Sequence, residues 1–213
     1  GAAELHAVGF TGDDGEGYEL RRGLEALGCE TDRLIRSDVF RTPTYLKPRS
    51  TLIGGLSGEH SRYDTKNREA VPPDLRKVII EGLDFLLPHV DGVIVLDQVG
   101  EVDGGVVSEQ IRDVVITRAR QHAQVIFWVD SRVRLHEFRG VMLKSNEYEV
   151  VGLRQPPPST TVGFERVLEA ARRLRSANSA PVAVTCGGKG VLVSDPEWLW
   201  VSGVNVEGET DST

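Results

Sequence analysis

The sequence predicts an α/β protein of three layers, with helices flanking a mainly parallel sheet. Short β-branched runs such as GVIVLD, VIFWVD and PVAVT alternate with stretches whose apolar residues recur at helical spacing. Right-handed βαβ crossovers impose that order. With 213 residues, 39% of them hydrophobic, the chain is long enough to bury a substantial core as one domain, residues 1–213.

The elements follow in order. LHAVGF, Leu5 to Phe10, reads as a buried strand, and the polar, glycine-rich TGDDGEG turns the chain into a helix carrying Leu20, Leu24 and Leu27 on one face. Gly28 stands where a left-handed C-cap is commonly needed. From Thr42 to about Asn67 the prolines, charges and β-formers indicate exposed or edge strands without helical period. Beyond Pro72 and Pro73, which suit a helix entrance, Leu75, Val78, Ile79, Leu83, Leu86 and Leu87 return to helical spacing. The strand Gly92 to Asp97 follows, and then a helical stripe of Ile111, Val114, Val115 and Ala119. Val125 to Asp130 and Val141 to Asn146 read as strands. A helix with Phe164, Val167, Leu168, Ala171 and Leu174 precedes the strand Pro181 to Thr185, and GVLVSD and WLWVSG read as shorter strands that suit antiparallel pairing.

Composition narrows the function classes. A formal net charge of −7 argues against a broad phosphate-tracking surface, so no nucleic-acid partner is expected. No run approaches the roughly 18 apolar residues that span a bilayer, and the first residues carry neither a basic region nor an apolar signal core. Neither a membrane partner nor secretion is expected. Cys29 and Cys186 form no C-x-x-C spacing and suit a reducing, cytoplasmic location.

In a doubly wound sheet, ligand sites lie beyond the carboxyl ends of the strands, and polar residues gather there: Asp97, Asp130 with Arg132, Asn146 with Glu149, and Thr185 through Gly190. In KSNEYE, Asn146 and Glu149 have the spacing of a helix capping box, which needs no ligand. VTCGGKG sets three glycines and Lys189 after a strand. That suits close backbone approach to an anion, and equally a tight turn in which glycine supplies positive φ. Asp13 and Asp14 lack the glutamate and length of a calcium loop and complement the positive end of the next helix. Tyr45, Lys47 and Arg49 alternate, as do Arg62 and Asp64, so each set would share a strand face. Such a cationic face could receive a sugar or phosphate, or could simply protect an edge strand.

Taken in order, these segments resemble the PfkB (ribokinase-like) carbohydrate kinases over essentially the whole chain. VGFTGDDGEG resembles the family's V-G-x-x-G-x-D-x-x-G strand and turn, KSNEYE its N-x-x-E, and VTCGGKG its V-T-x-G-x-x-G nucleotide loop. TPTYLKPR and SRYDTKN resemble the lid strands of the heptose-7-phosphate kinase branch, and VDSR that branch's V-D-P-K. The terminal Asp211-Ser212-Thr213 resembles the start of the signature D-[TS]-[TV]-G-A-G-D, and GAAELHAVG the stretch that follows the family's first strands. On this comparison the chain is expected to be an internal fragment of a longer kinase, truncated at both ends, with a small β-strand lid at about residues 42–67.

The resemblance implies ATP-dependent phosphorylation of a sugar or sugar-phosphate hydroxyl, with ATP, Mg2+ and K+ as cofactors. It implies that Asn146 and Glu149 organise the magnesium and phosphate region, Glu149 acting on the metal indirectly. Thr185, Gly187, Lys189 and Gly190 would border the nucleotide together with Lys144, and Asp211 and Thr213 would help hold the monovalent cation. Lys47, Arg49, Arg62, Asp64, Asp97 and Arg132 are the sugar-side candidates. The expected proton acceptor lies beyond Thr213, so the chain by itself is expected to be inactive. The heptose branch has a lysine after the strand matched by GVIVLD, whereas this chain reads DQVGEVDGG; Arg132 or Lys144 is the candidate replacement, unless the substrate differs. A nucleoside kinase of the same fold and a noncatalytic ligand-binding module are the alternatives, and the lid strands could pair in a homodimer.

Overall fold

The computed structural model describes residues 1–53, 56–154, 156–157 and 160–204. Two compact units are distinguished, Gly1–Leu83 and a second beginning at Asp84.

In the first unit, β1 (Leu5–His6) and β2 (Gly9–Gly12) lead into helix α1 (Gly15–Ala26), and β3 (Cys29–Glu30) and β4 (Leu34–Ser37) return. The expected single strand from Leu5 to Phe10 is interrupted. β1 pairs in parallel with β3 and β2 with β4, because Thr31, Asp32 and Arg33 separate the two partner segments. β3 and β4 were not anticipated, since CETDRLIRS is too polar to read as strand. Asp14 caps α1 by accepting from the Gly17 N–H at 2.8 Å, and Gly28 takes φ +77° just past the C-cap Leu27. The predicted apolar stripe of α1 is present, but Leu20 and Leu27 are exposed. A hairpin of β5 (Thr44–Leu46) and β6 (Tyr63–Thr65) follows, within the lid-like range expected. Helix α2 (Pro73–Leu86) opens on a proline, whose missing N–H costs nothing at the first helical position.

The second unit holds β7 (Gly92–Asp97), α3 (Glu109–Gln121), β8 (Ile126–Ser131), β9 (Met142–Asn146), the single turn α4 (Glu147–Val150), α5 (Phe164–Asn178), β10 (Val182–Thr185), β11 (Gly190–Ser194) and β12 (Trp198–Ser202). Among the described residues these strands form one six-stranded sheet in the order β12-β11-β10-β9-β8-β7. β7 to β10 run parallel, and β10, β11 and β12 are antiparallel. Val95, Phe127, Val129, Leu143, Val182, Val184 and Leu192 are buried on the helix-covered face, as are Val115 of α3 and Val167, Ala171 and Leu174 of α5, with α3 against β8 and α5 against β10. Each such fully buried aliphatic or aromatic side chain stabilises the fold by about 1.5–3 kcal/mol. The opposite face carries Ile94, Leu96, Ile126, Leu199 and Val201, all exposed.

Candidate active site at the strand ends

Strand register brings the predicted residues of the second unit together. Asp97 pairs with Ser131 across β7 and β8, Asp130 with Lys144 across β8 and β9, and Asn146 with Thr185 across β9 and β10. Side chains alternate along a strand, so Asp130, Lys144, Asn146 and Thr185 share one sheet face, while Asp97 and Ser131 point to the other.

On the first face Lys144 Nζ lies 2.9 Å from Asp130 Oδ2, and Gln98 Nε2 reaches the same carboxylate at 3.3 Å. Asn146 is the N-cap of α4. Its Oδ1 accepts from Tyr148 N and Glu149 N at 2.9 and 2.8 Å, and Glu149 Oε2 accepts from Asn146 N at 2.9 Å. The capping box read from the sequence is therefore formed, with the Asn146 amide nitrogen left without a hydrogen bond among the described residues. Burial pushes the Glu149 carboxyl above the ordinary glutamate value. The Asn146 N–H opposes that shift, nearby Asp130 adds to it, and Lys144 and Arg132 offset it in part. Arg132 itself is exposed.

After β10 the chain bends through Gly187–Lys189 into β11. Gly187 has φ +56° and Gly190 φ +136°, and a Cβ on Gly190 would lie 2.1 Å from the Val201 carbonyl oxygen, so both the backbone angle and the packing demand glycine there. Lys189 N donates to Cys186 O, and Gly190 N to Gly187 O. The N–H groups of Gly187 and Gly188, both exposed, make no hydrogen bond among the described residues. Lys189 Nζ lies 3.4 Å from Glu147 Oε2. The bend is thus a tight hairpin turn that also presents two amides and a cation beside Asn146 and Thr185.

Asp97 departs from expectation. It is 2% exposed, its Oδ2 accepts from Ser131 Oγ at 2.6 Å, and its Oδ1 accepts from Arg134 Nη1 at 3.2 Å. Arg134 also donates to the carbonyls of Val99, Gly100 and Glu101. The cation beside Asp97 is therefore Arg134, not Arg132 or Lys144, and the pair pins the loop after β7. Sequence reasoning missed Arg134 because only the parallel register of β7 and β8 brings S-x-x-R under the preceding aspartate. Burial pushes the Asp97 carboxyl above its ordinary value, and Ser131, Arg134 and Arg112 offset the shift in part.

In the first unit, Arg62 forms a bidentate pair with Asp64 at 2.6 and 2.9 Å, and its guanidinium lies 4.7 Å from the Tyr45 ring centroid. Lys47 lies 3.6 Å from Glu59, whose backbone bridges Arg49. The expected cationic face is corrected accordingly: acidic partners compensate Arg62 and Lys47, and β5 ends at Leu46, before the anticipated alternation reaches Lys47 and Arg49. Asp211 and Thr213 lie outside the described residues. Among those described, no group of three or more His, Cys, Asp or Glu could hold a metal ion, and no helix is long and apolar enough to cross a membrane.

A mostly parallel sheet with polar groups collected at its carboxyl ends and an antiparallel extension through β11 and β12 is a ribokinase-like α/β fold. No protein-family model matches the chain. A curated relative, the bifunctional protein HldE of Helicobacter pylori (strain G27), is 28% identical over 124 residues, which cover 58% of this chain and 25% of that protein. Phosphofructokinase-2 from Escherichia coli, solved in complex with fructose-6-phosphate, superposes with a TM-score of 0.63 at 18% identity, over 98% of this chain and 65% of that one. Ribokinase from Cryptococcus neoformans var. grubii serotype A, solved in complex with ADP, gives 0.64 at 16% identity, over 97% and 64%. The chain thus spans a quarter of its curated relative and under two thirds of these structures, and its resemblance to the PfkB and ribokinase-like sugar kinases is borne out in the fold.

Proposed function

We propose that this chain is part of an ATP-dependent kinase acting on a hydroxyl of a sugar or sugar phosphate, with heptose-type substrates placed first on the motif resemblance. The observation that carries the reading is the pairing of Asn146 with Thr185 at adjacent strand ends, immediately before the Gly187–Gly190 bend. Free amides at Gly187 and Gly188 and the charge of Lys189, held by one 3.4 Å contact to Glu147, suit nucleotide phosphates, and Thr185 borders the same ends. Lys144 and Asp130 fix each other's orientation, leaving exposed Arg132 as a further cation for an incoming anion. Asp97 acts indirectly in this reading, by holding Arg134 and through it the loop of residues 99–101.

In the reaction the substrate hydroxyl oxygen attacks the γ-phosphorus, the bond to the departing ADP oxygen breaks, and the hydroxyl proton passes to a base. Positioning and charge stabilisation dominate such transfers. A magnesium ion fits the donors present only if the nucleotide phosphates share it, since Glu149 offers one carboxylate whose Oε2 is already engaged. Bound, the ion would neutralise phosphate charge, with Glu149 reached through water.

The test is titration of the chain with ADP in magnesium buffer, followed by amide resonances. Saturable shifts at Thr185 and Gly187–Gly190 that weaken in Lys189→Ala are expected; shifts elsewhere only, or none, would refute the nucleotide site. ADP release by the longest natural form of the protein, measured across sugars, sugar phosphates and nucleosides, tests the substrate. Preference for a nucleoside would transfer the reading to a nucleoside kinase.

A further inference from the structure

Away from the strand ends, the helix-covered side of the second unit contains a cavity of about 420 Å³ between α4, α5 and the turn Leu135–Glu137. We propose that it binds a small organic anion with an apolar body.

The shape comes from the sequence of α5. Arg166, Ala170, Arg173 and Ala177 recur at i, i+4, i+7 and i+11, so they share one face of the helix. The two alanines leave a hollow that longer side chains would fill. Its floor is apolar, made by buried Ala170 and Leu174 with buried Val150 from the end of α4. Its volume falls within the range of small-molecule sites, roughly 300–1,000 Å³, whose walls are mostly apolar with a few placed polar groups.

The polar groups here are all basic. Arg166, Arg173 and His136 line the cavity, and among the described residues no aspartate or glutamate does. That is notable in a chain of net charge −7. Two carboxylates beside the lining residues, Glu137 next to His136 and Glu169 four residues before Arg173, are committed or weakly held. Glu137 lies 2.6 Å from Arg112. Glu169 pairs with Arg173, but both groups are about two-thirds exposed, and exposed pairs of this kind contribute little. Arg173 can therefore exchange Glu169 for a ligand at small cost, while Arg166 has no ion pair among the described residues. Guanidinium forks match the geometry of carboxylate and phosphate oxygens. An anionic head at the arginines with an apolar body over Ala170, Leu174 and Val150 is the complementary ligand.

Phenyl phosphate is a suitable probe, with inorganic phosphate (charge without body) and phenol (body without charge) beside it. Amide resonances of the full chain should shift saturably at Gly152, Ala170 and Ala177 with phenyl phosphate, and at least about tenfold more weakly with either half-probe. Arg166→Gln with Arg173→Gln changes two exposed side chains; that variant should keep the wild-type spectrum elsewhere and lose about tenfold or more in phenyl phosphate affinity. Equal binding by inorganic phosphate would overturn the apolar component. Shifts confined to Gly187–Gly190, no shifts, or affinity unchanged in the double variant would overturn the site.

Discussion

Asn146 and Thr185 stand opposite each other as register partners where β9 and β10 end, so residues 39 positions apart in sequence meet at the middle of the sheet's carboxyl edge. Asn146 has two tasks there, and mutation can separate them. Its side chain caps α4 through two N–H groups, so Asn146→Ala should lower stability by about 1 kcal/mol. Glu149→Gln retains a side-chain oxygen able to accept from Asn146 N and should stay within about 0.5 kcal/mol of wild type near the ordinary glutamate pKa. Urea denaturation of the two variants checks the ranking. Equal losses would mean that the carboxyl of Glu149 holds the turn in a way that an amide oxygen in the same place does not.

The same glutamate gives a signed pH dependence. Burial raises its pKa in the folded protein, so the folded chain retains a proton that the unfolded chain has released. Its stabilising contribution is complete below the unfolded value and lost as pH rises through the folded one. Asp97, also raised by burial, acts with the same sign. Asp84, lowered chiefly by its hydrogen bonds from Arg118, acts oppositely, but is common to wild type and variant. The stability of Glu149→Gln relative to wild type should therefore increase from pH 4.5, the ordinary glutamate value, towards neutrality. Denaturant midpoints of both proteins at several pH values measure the difference, and a flat or falling difference would reject the assignment.

Two glycines of α1 should respond to alanine with opposite sign. Helix propensity alone favours alanine by up to about 1 kcal/mol at either position. At Gly23 a Cβ would meet nothing within 4 Å, whereas at Gly17 it would lie 2.5 Å from the Gly12 carbonyl oxygen and 2.8 Å from Thr42 Oγ1. Those atoms are not free to yield. Thr42 Oγ1 donates to Asp14 and accepts from Gly12 N, and Asp14 caps the helix through Gly17 N. Gly23→Ala should raise the melting temperature and Gly17→Ala lower it, by about 1–3 kcal/mol in stability. Thermal unfolding of the pair decides whether close packing or chain entropy governs the turn.

The parallel strands were legible because β-branched apolar runs between helical stripes have few other meanings; β7 begins and ends as expected, and β8, β9 and β10 begin one residue late. The fate of α1 was not, since Leu20, Leu24 and Leu27 mark an apolar face without saying what covers it. At the site, Asn146, Glu149 and the glycine bend could be named from local spacing. Arg134 could not, because its partnership with Asp97 depends on strand register, and neither could the neutralisation of Arg62 by Asp64 and Lys47 by Glu59, which depends on side-chain direction in a short hairpin.

The sheet's uncovered face yields the last prediction. Ile94 is 73% exposed and Leu199 61%, near the two edges of one sheet, with Leu96, Ile126 and Val201 on the same face. Apolar patches of this kind drive association in water, and β7 and β12 add unpaired backbone edges among the described residues. The chain alone should bind an apolar dye such as ANS and self-associate. Ile94→Lys with Leu199→Lys places charge on exposed positions and should reduce dye binding and association together while changing stability by no more than about 0.5 kcal/mol per site. Sedimentation velocity and dye fluorescence provide the check. Monomeric wild-type protein with no dye signal would mean that this face is not presented to water in solution.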